Sequence, residues 1–85
     1  MEKTATETLA INVEDVRKQN IRDVLSLVSS ALDERGYSAV SQISGYLISS
    51  DPAYISSYNN ARTVIQTVER HEIIEELVRT YLENQ

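Results

Sequence analysis

Ile21-Arg22-Asp23-Val24-Leu25-Ser26-Leu27-Val28-Ser29-Ser30-Ala31-Leu32 is the stretch that decides the fold. Its apolar residues Ile21, Val24, Leu25, Val28, Ala31 and Leu32 recur at intervals of three and four, which places them on one face of an α-helix. Upstream, Glu14 and Asp15 favour the positive end of a helix, and downstream Gly36 suits the left-handed residue that follows a helix end. The spacing predicts a first long helix from Val13 or Glu14 to about Arg35. Ser38 can cap a second helix in which Val40, Ile43, Leu47 and Ile48 share a face, running to about Ser49 or Ser50. Gly45 inside it costs about 1 kcal/mol of helix propensity relative to Ala, which predicts another backbone packed closely there.

Asp51-Pro52 is a helix-start pair, Asp as N-cap and Pro at the first helical position. It predicts a short turn over 52–57 with Tyr54 and Tyr58 stacked on one side. Asn59 or Asn60 is the expected cap of a further helix carrying Ala61, Val64, Ile65 and Val68. The last apolar set, Ile73, Ile74, Leu77, Val78, Tyr81 and Leu82, falls out of phase with it across Glu69-Arg70-His71-Glu72, which predicts a break near His71. Residues 1–12 show no periodicity and read as a disordered tail. The expected fold class is all-α: a compact bundle of four to five short helices over 13–85, a single domain without internal repeats.

The chain has 85 residues, 8 Lys and Arg against 13 Asp and Glu, a net charge of −5 and a pI near 4.7. An acidic balance opposes a general phosphate-binding surface, so no nucleic-acid partner is expected. The absence of Cys rules out disulfides, thiolate metal sites and cysteine nucleophiles together. No run approaches the ~18 apolar residues of a membrane span, and no basic segment leads into an apolar stretch at the N-terminus. The expectation is a cytoplasmic protein with no membrane insertion. A domain of this size buries only about 60% of its unfolded surface, so pairing with a second copy is a natural way to gain buried area.

Catalytic chemistry finds little support. His71 is the only imidazole, and the carboxylates Glu72, Glu75 and Glu76 surround it at helical spacing. H-E-x-x-H requires a second His where Glu75 stands, and the di-iron pattern requires a Glu where Val68 stands. Neither a nucleophile elbow nor a Gly-rich phosphate loop can be assembled from two glycines. The chain reads as a non-enzyme with no catalytic residues, no metal and no cofactor. A helix-turn-helix regulator is the alternative reading, with Arg62, Gln66 and Arg70 at i, i+4 and i+8 as its recognition face. The tyrosines from Tyr37 to Tyr58 are candidate contact residues, since Tyr joins apolar area to a polar tip. Thr4, Thr6 and Thr8 stand in an accessible acidic tail, where a phosphate adds about −1.5 to −2 charges.

Taken in order, Gly36-Tyr37, Gln42-Ile43-Ser44-Gly45-Tyr46-Leu47, Ser50-Asp51-Pro52-Ala53-Tyr54-Ile55, Tyr58-Asn59-Asn60-Ala61-Arg62 and Glu69-Arg70-His71-Glu72-Ile73-Ile74-Glu75-Glu76-Leu77-Val78 closely resemble the IreB/ReoM family. These are small regulatory phosphoproteins of Gram-positive bacteria, and the resemblance spans roughly residues 21–82. It implies a cytoplasmic all-helical homodimer without catalytic activity. It further implies a substrate of PASTA-type Ser/Thr kinases, reversed by a cognate phosphatase. The implied output is control of peptidoglycan precursor synthesis and cephalosporin resistance, in some members through Clp-dependent proteolysis of the enzyme that commits UDP-N-acetylglucosamine to the wall. The family's phosphoacceptor, a Thr between an acidic and an apolar residue, matches Glu7-Thr8-Leu9 and marks Thr8 ahead of Thr4 and Thr6. Beside the resemblance, the pairing of a kinase-accessible Thr tail with a helical body that has no catalytic site makes the Tyr54 to Arg70 region the expected partner-binding face, with Tyr54, Tyr58, Asn60, Arg62 and Arg70. Departures from the family pattern are Ser50 for Gly, Ser56 for Pro, Ser57 for a basic residue, Gln66 for Arg and His71 for Asp.

Overall fold

The computed structural model describes residues 12–85. It contains four α-helices, α1 (Val13–Glu34), α2 (Ala39–Ser49), α3 (Ala61–Ile65) and α4 (Arg70–Glu83), with 3₁₀ turns at Pro52–Tyr54 and Tyr58–Asn60. No strand occurs among the described residues, so the all-α expectation holds. The first helix begins where Asn12 accepts a hydrogen bond from the Glu14 amide, and it ends at Glu34 before Gly36 turns left-handed at φ 78°. Ser38 caps α2 through the Ser41 amide, as its position predicts.

The core lies along α1. Ile21, Val24, Val28, Ala31 and Leu32 are buried there, as the opening periodicity requires, together with Tyr46, Ile55, Ala61, Ile65, Val68 and Ile73. The other three helices pack around α1, with α3 in the most extensive contact. Every buried side-chain nitrogen or oxygen among the described residues has a hydrogen-bond partner.

The connection from Ser50 to Asn60 departs from the sequence expectations in three places. Asp51 does cap the turn, through the Ala53 amide, but the turn stops at Tyr54 because Ile55 is extended and fully buried. Tyr54 and Tyr58 therefore do not stack on one face. Tyr54 lies over Gly45, where an added Cβ would sit 2.5 Å from its Cδ1 atom, whereas Arg35 stands 4.9 Å from the Tyr58 ring centre. The close neighbour that Gly45 admits is thus an aromatic ring and not a second backbone. Asn59 and Asn60 are both left-handed, at φ 50° and 63°, and Asn60 makes no side-chain cap bond to α3. Asn tolerates this conformation better than most residues.

The predicted interruption near His71 falls slightly earlier, at residues 66–69. α3 ends at Ile65, which leaves Val68 buried in the connection, and α4 starts from a capping box in which Glu69 and Glu72 satisfy each other's backbone amides. His71 is in the first turn of α4. Ser50 closes α2 in a left-handed conformation at φ 67°. Left-handed backbone strains any residue with a Cβ. Ser50→Gly is expected to stabilise the fold by about 0.5–1 kcal/mol, net of the entropy glycine adds to the unfolded chain. Thermal unfolding should show a Tm higher by about 2–8 °C, and a lower Tm would contradict this account of the cap.

Candidate functional site: a charge-docked helix and its exposed apolar face

α4 is attached to the body by its charged side. Glu76 is the one buried charged residue among those described, 2% exposed, and its carboxylate gathers three donors. Arg22 Nε of α1 lies 2.7 Å from Oε2, Arg79 donates to Oε1 at 2.8 Å, and the Thr80 hydroxyl donates to Oε2 at 3.1 Å. One turn earlier on α4, Glu72 approaches Arg17 of α1 at 3.7 Å. Ile73, fully buried, is the apolar anchor beside this ionic seam.

Helical geometry then determines what is left outside. At about 100° per residue, Leu77, Tyr81, Ile74, Val78 and Leu82 succeed one another over an arc of about 140°, next to Ile73. All five are exposed, from 41% at Ile74 to 67% at Tyr81. A surface helix of a globular protein ordinarily turns such an arc inward. Here the ion pairs hold it outward, which makes a contiguous apolar surface of the kind that marks protein contacts.

Beside it runs a second apolar feature. No residue from Gly36 to Ser50 is charged, and α2 is accordingly neutral throughout. Between α1 and α2 lies a groove of about 400 Å³ lined by Leu25, Ala39, Val40, Ile43 and Leu47 with the small residues Ser26, Ser29 and Ser44, and Leu77 of α4 borders it. Leu25, Ala39, Ile43 and Leu47 are only partly buried, and Val40 is 78% exposed. Loss of charge together with apolar residues is the signature of an interface core.

The residues singled out in the sequence have different fates. Tyr54 is exposed and Tyr58 half-buried beneath Arg35. Asn60 is exposed at its left-handed position, and neighbouring Asn59 donates to Glu34 at 3.3 Å. Arg62 and Arg70 are committed within the fold. Arg62 Nε donates to the Ile55 carbonyl at 2.8 Å, and Arg70 donates to the Leu47 carbonyl at 2.7 Å. The side chain of Gln66 donates back to the Arg62 carbonyl. Since Arg62 and Arg70 occupy separate helices with residues 66–69 between them, the i, i+4, i+8 recognition face of the helix-turn-helix reading is not formed. His71 is exposed, with Nδ1 3.5 Å from Glu69. Thr4, Thr6 and Thr8 lie outside the described residues.

Two features were missed by sequence reasoning. The Glu76 cluster joins residues far apart in the chain, and no local pattern pairs Arg22 with Glu76. The outward arc of α4 was visible as periodicity, but periodicity gives the existence of an apolar face and not the direction in which it points.

Fold and surface together define a class: a small all-helical protein that presents apolar surface from a body held by internal ion pairs. The family model described as IreB regulatory phosphoprotein matches residues 6–83, and the chain belongs to that family. The matched span takes in Thr6 and Thr8 and leaves out Thr4. No helix among the described residues is long and apolar enough to cross a membrane.

The charges make both halves of this arrangement testable. The hydrogen bond from Arg22 holds the Glu76 carboxyl below the usual carboxylate value, against the opposing effect of burial. A folded-state value depressed below the unfolded one, near 4.3, means that the stabilisation is present above that pH and is lost as pH falls through the folded value. Glu76→Gln should lower Tm at neutral pH by about 5–10 °C and flatten its fall under acid. An unchanged acid profile in this variant would contradict the assignment. Arg62→Ala and Arg70→Ala should each lower Tm by about 4–8 °C, since each leaves a carbonyl without its charged donor. Full stability in both would show that the two arginines are free for partners.

Proposed function

We propose that this chain is a non-enzymatic, cytoplasmic adaptor whose N-terminal tail is phosphorylated by a PASTA-type Ser/Thr kinase and dephosphorylated by a cognate phosphatase. In this reading Thr8 is the acceptor, the working form is a homodimer, and the output is control of peptidoglycan precursor synthesis and cephalosporin resistance through regulated Clp proteolysis. The observation that carries it is the match of residues 6–83 to a family of regulatory phosphoproteins. Support for self-pairing comes from the exposed apolar arc of α4, whose five residues face away from their own body.

The physical basis of the switch is charge. Thr8 stands four positions before Asn12, whose side chain opens α1. A phosphate at Thr8 adds about −1.5 to −2 charges to a chain already at −5. Arg62 and Arg70, the arginines of the expected contact face, already donate to carbonyls, so a phosphate or a partner carboxylate that seeks them competes with those bonds. Tyr54, Tyr58 and Asn60 lie in the same irregular segment and form the remainder of that face.

Phosphopeptide mass spectrometry on the protein from its native host, with and without the kinase, tests the proposal. Kinase-dependent phosphate on Thr8 is the expected result, with loss of the kinase-dependent phenotype in Thr8→Ala. A tail unmodified under cell-wall stress, or a Thr8→Ala strain indistinguishable from wild type, would contradict it.

A further inference from the structure

We propose that a phosphate on Thr8 docks on its own chain, in the recess between the head of α1 and the first turn of α4, where Arg17, Lys18 and His71 receive it. The inference rests on the reading of Thr8 as the acceptor given above and deepens it by specifying where the added charge goes.

Reach makes the first selection. The described part of the chain begins with Asn12, which caps α1, and Thr8 stands four positions before it. Four extended residues span at most about 14 Å. At about 1.5 Å per residue, Arg17 and Lys18 stand about 8–9 Å along α1 from Asn12, and Arg35 about 35 Å. α3, which carries Arg62, shares a groove with α1 from Leu27 onward. That begins about 22 Å along the helix. The tether therefore favours the head of α1.

Prior commitment makes the second selection. Arg22 and Arg79 donate to Glu76, Arg62 to the Ile55 carbonyl and Arg70 to the Leu47 carbonyl. Arg17 is held more loosely. Its Nε stands 3.7 Å from Glu72, beyond hydrogen-bond distance, and its side chain is 52% exposed. His71 is exposed as well, with Nδ1 3.5 Å from Glu69. Arg17, half-buried Lys18 and His71 line one recess of about 60 Å³.

The charge of that recess explains why a phosphate is needed. Glu14, Glu72 and Glu75 line it together with Arg17, Lys18 and Arg79, so three carboxylates face three cations and an imidazole. An unmodified tail carrying Glu7 gains little from a balanced surface. A phosphate brings about −1.5 to −2 charges and three acceptor oxygens, and an arginine meets it through two parallel N–H donors. It draws Arg17 from Glu72, while Glu72 keeps its bond to the Glu69 amide in the capping box. The positive end of α4 lies on the same side and favours an anion. Docking folds the tail back on α1 and brings it next to Arg70, the chain neighbour of His71, at the edge of the expected contact face.

The full chain, synthesised with Thr8 phosphorylated, tests the docking without recourse to a kinase. Phosphorus NMR follows the second ionisation of the phosphate, and amide spectra map what it touches. The expected result is an ionisation about 1 pH unit below its ordinary value near 6, with phosphate-dependent amide shifts at Arg17, Lys18 and His71. Arg17→Gln should raise that ionisation back toward 6. Arg35→Gln, which removes the same charge at the far end of α1, should leave it lowered. Salt at about 1 M repeats the comparison on the unsubstituted chain, since it screens exposed ion pairs and should also return the value toward 6. A phosphate that titrates near 6 in the wild type, or responds equally to the two substitutions, would overturn the docking. Shifts centred on Arg62 and Arg70 would overturn it too. Docking in the synthetic chain beside an unmodified Thr8 in the native host would leave this inference standing and sink the kinase reading, and a kinase-modified Thr8 that docks nowhere would do the reverse.

Discussion

The carboxylate of Glu76 is the constraint on which the remaining architecture depends. A buried carboxylate is costly unless its lone pairs are filled, and here three donors from two helices fill them. An apolar contact of the same size could hold α4 against α1 at many rotations, because dispersion is not directional. The hydrogen bond from Arg22 of α1 fixes one rotation, while Arg79 and Thr80, on α4 itself, fill the remaining lone pairs. With that rotation set, Ile73 points into the core and Leu77, Val78, Tyr81 and Leu82 point away from it. The ion cluster's main consequence is therefore orientation, and stability is the smaller part of what it does.

The irregular connection between α2 and α3 is held by a related device. Two arginines reach back along the chain to the carbonyls of Leu47 and Ile55, and Ile55 itself is fully buried. These charge-assisted bonds offset the strain of left-handed Ser50, Asn59 and Asn60. Arg62 and Arg70 thus hold in place the segment that carries Tyr54 and Tyr58. A substitution there changes the fold and any contact surface together, so effects on partners at these positions are meaningful only beside a measured stability.

Much of this was legible from local pattern. The start of the first helix at Val13, its end before Gly36, the Ser38 cap and the start of the Asp51-Pro52 turn all follow from short-range chemistry, and the structure places them within a residue or two of expectation. The misplacements occur where tertiary contacts override local preference. Burial of Ile55 stops a turn that propensity would extend, Tyr54 fills the space above Gly45, and paired left-handed asparagines take the place of a simple cap. The supposed recognition face failed for the same reason: Arg62 and Arg70 fit a helical spacing, but the chain between them is not helical. Rotation of an amphipathic helix about its axis is decided by its long-range partners, which is why the arc of α4 could be predicted and its direction could not.

If α4 is fixed by its charges, it keeps its apolar face for another molecule. Sedimentation equilibrium of the wild type beside Val78→Lys, with circular dichroism on both, addresses this directly. The expected outcome is a dimeric wild type and a Val78→Lys chain that is monomeric yet fully helical with a near-native Tm. A Val78→Lys chain that unfolds would show that the apolar face packs on its own body, and a wild type that is monomeric at every concentration would show that no second copy covers it.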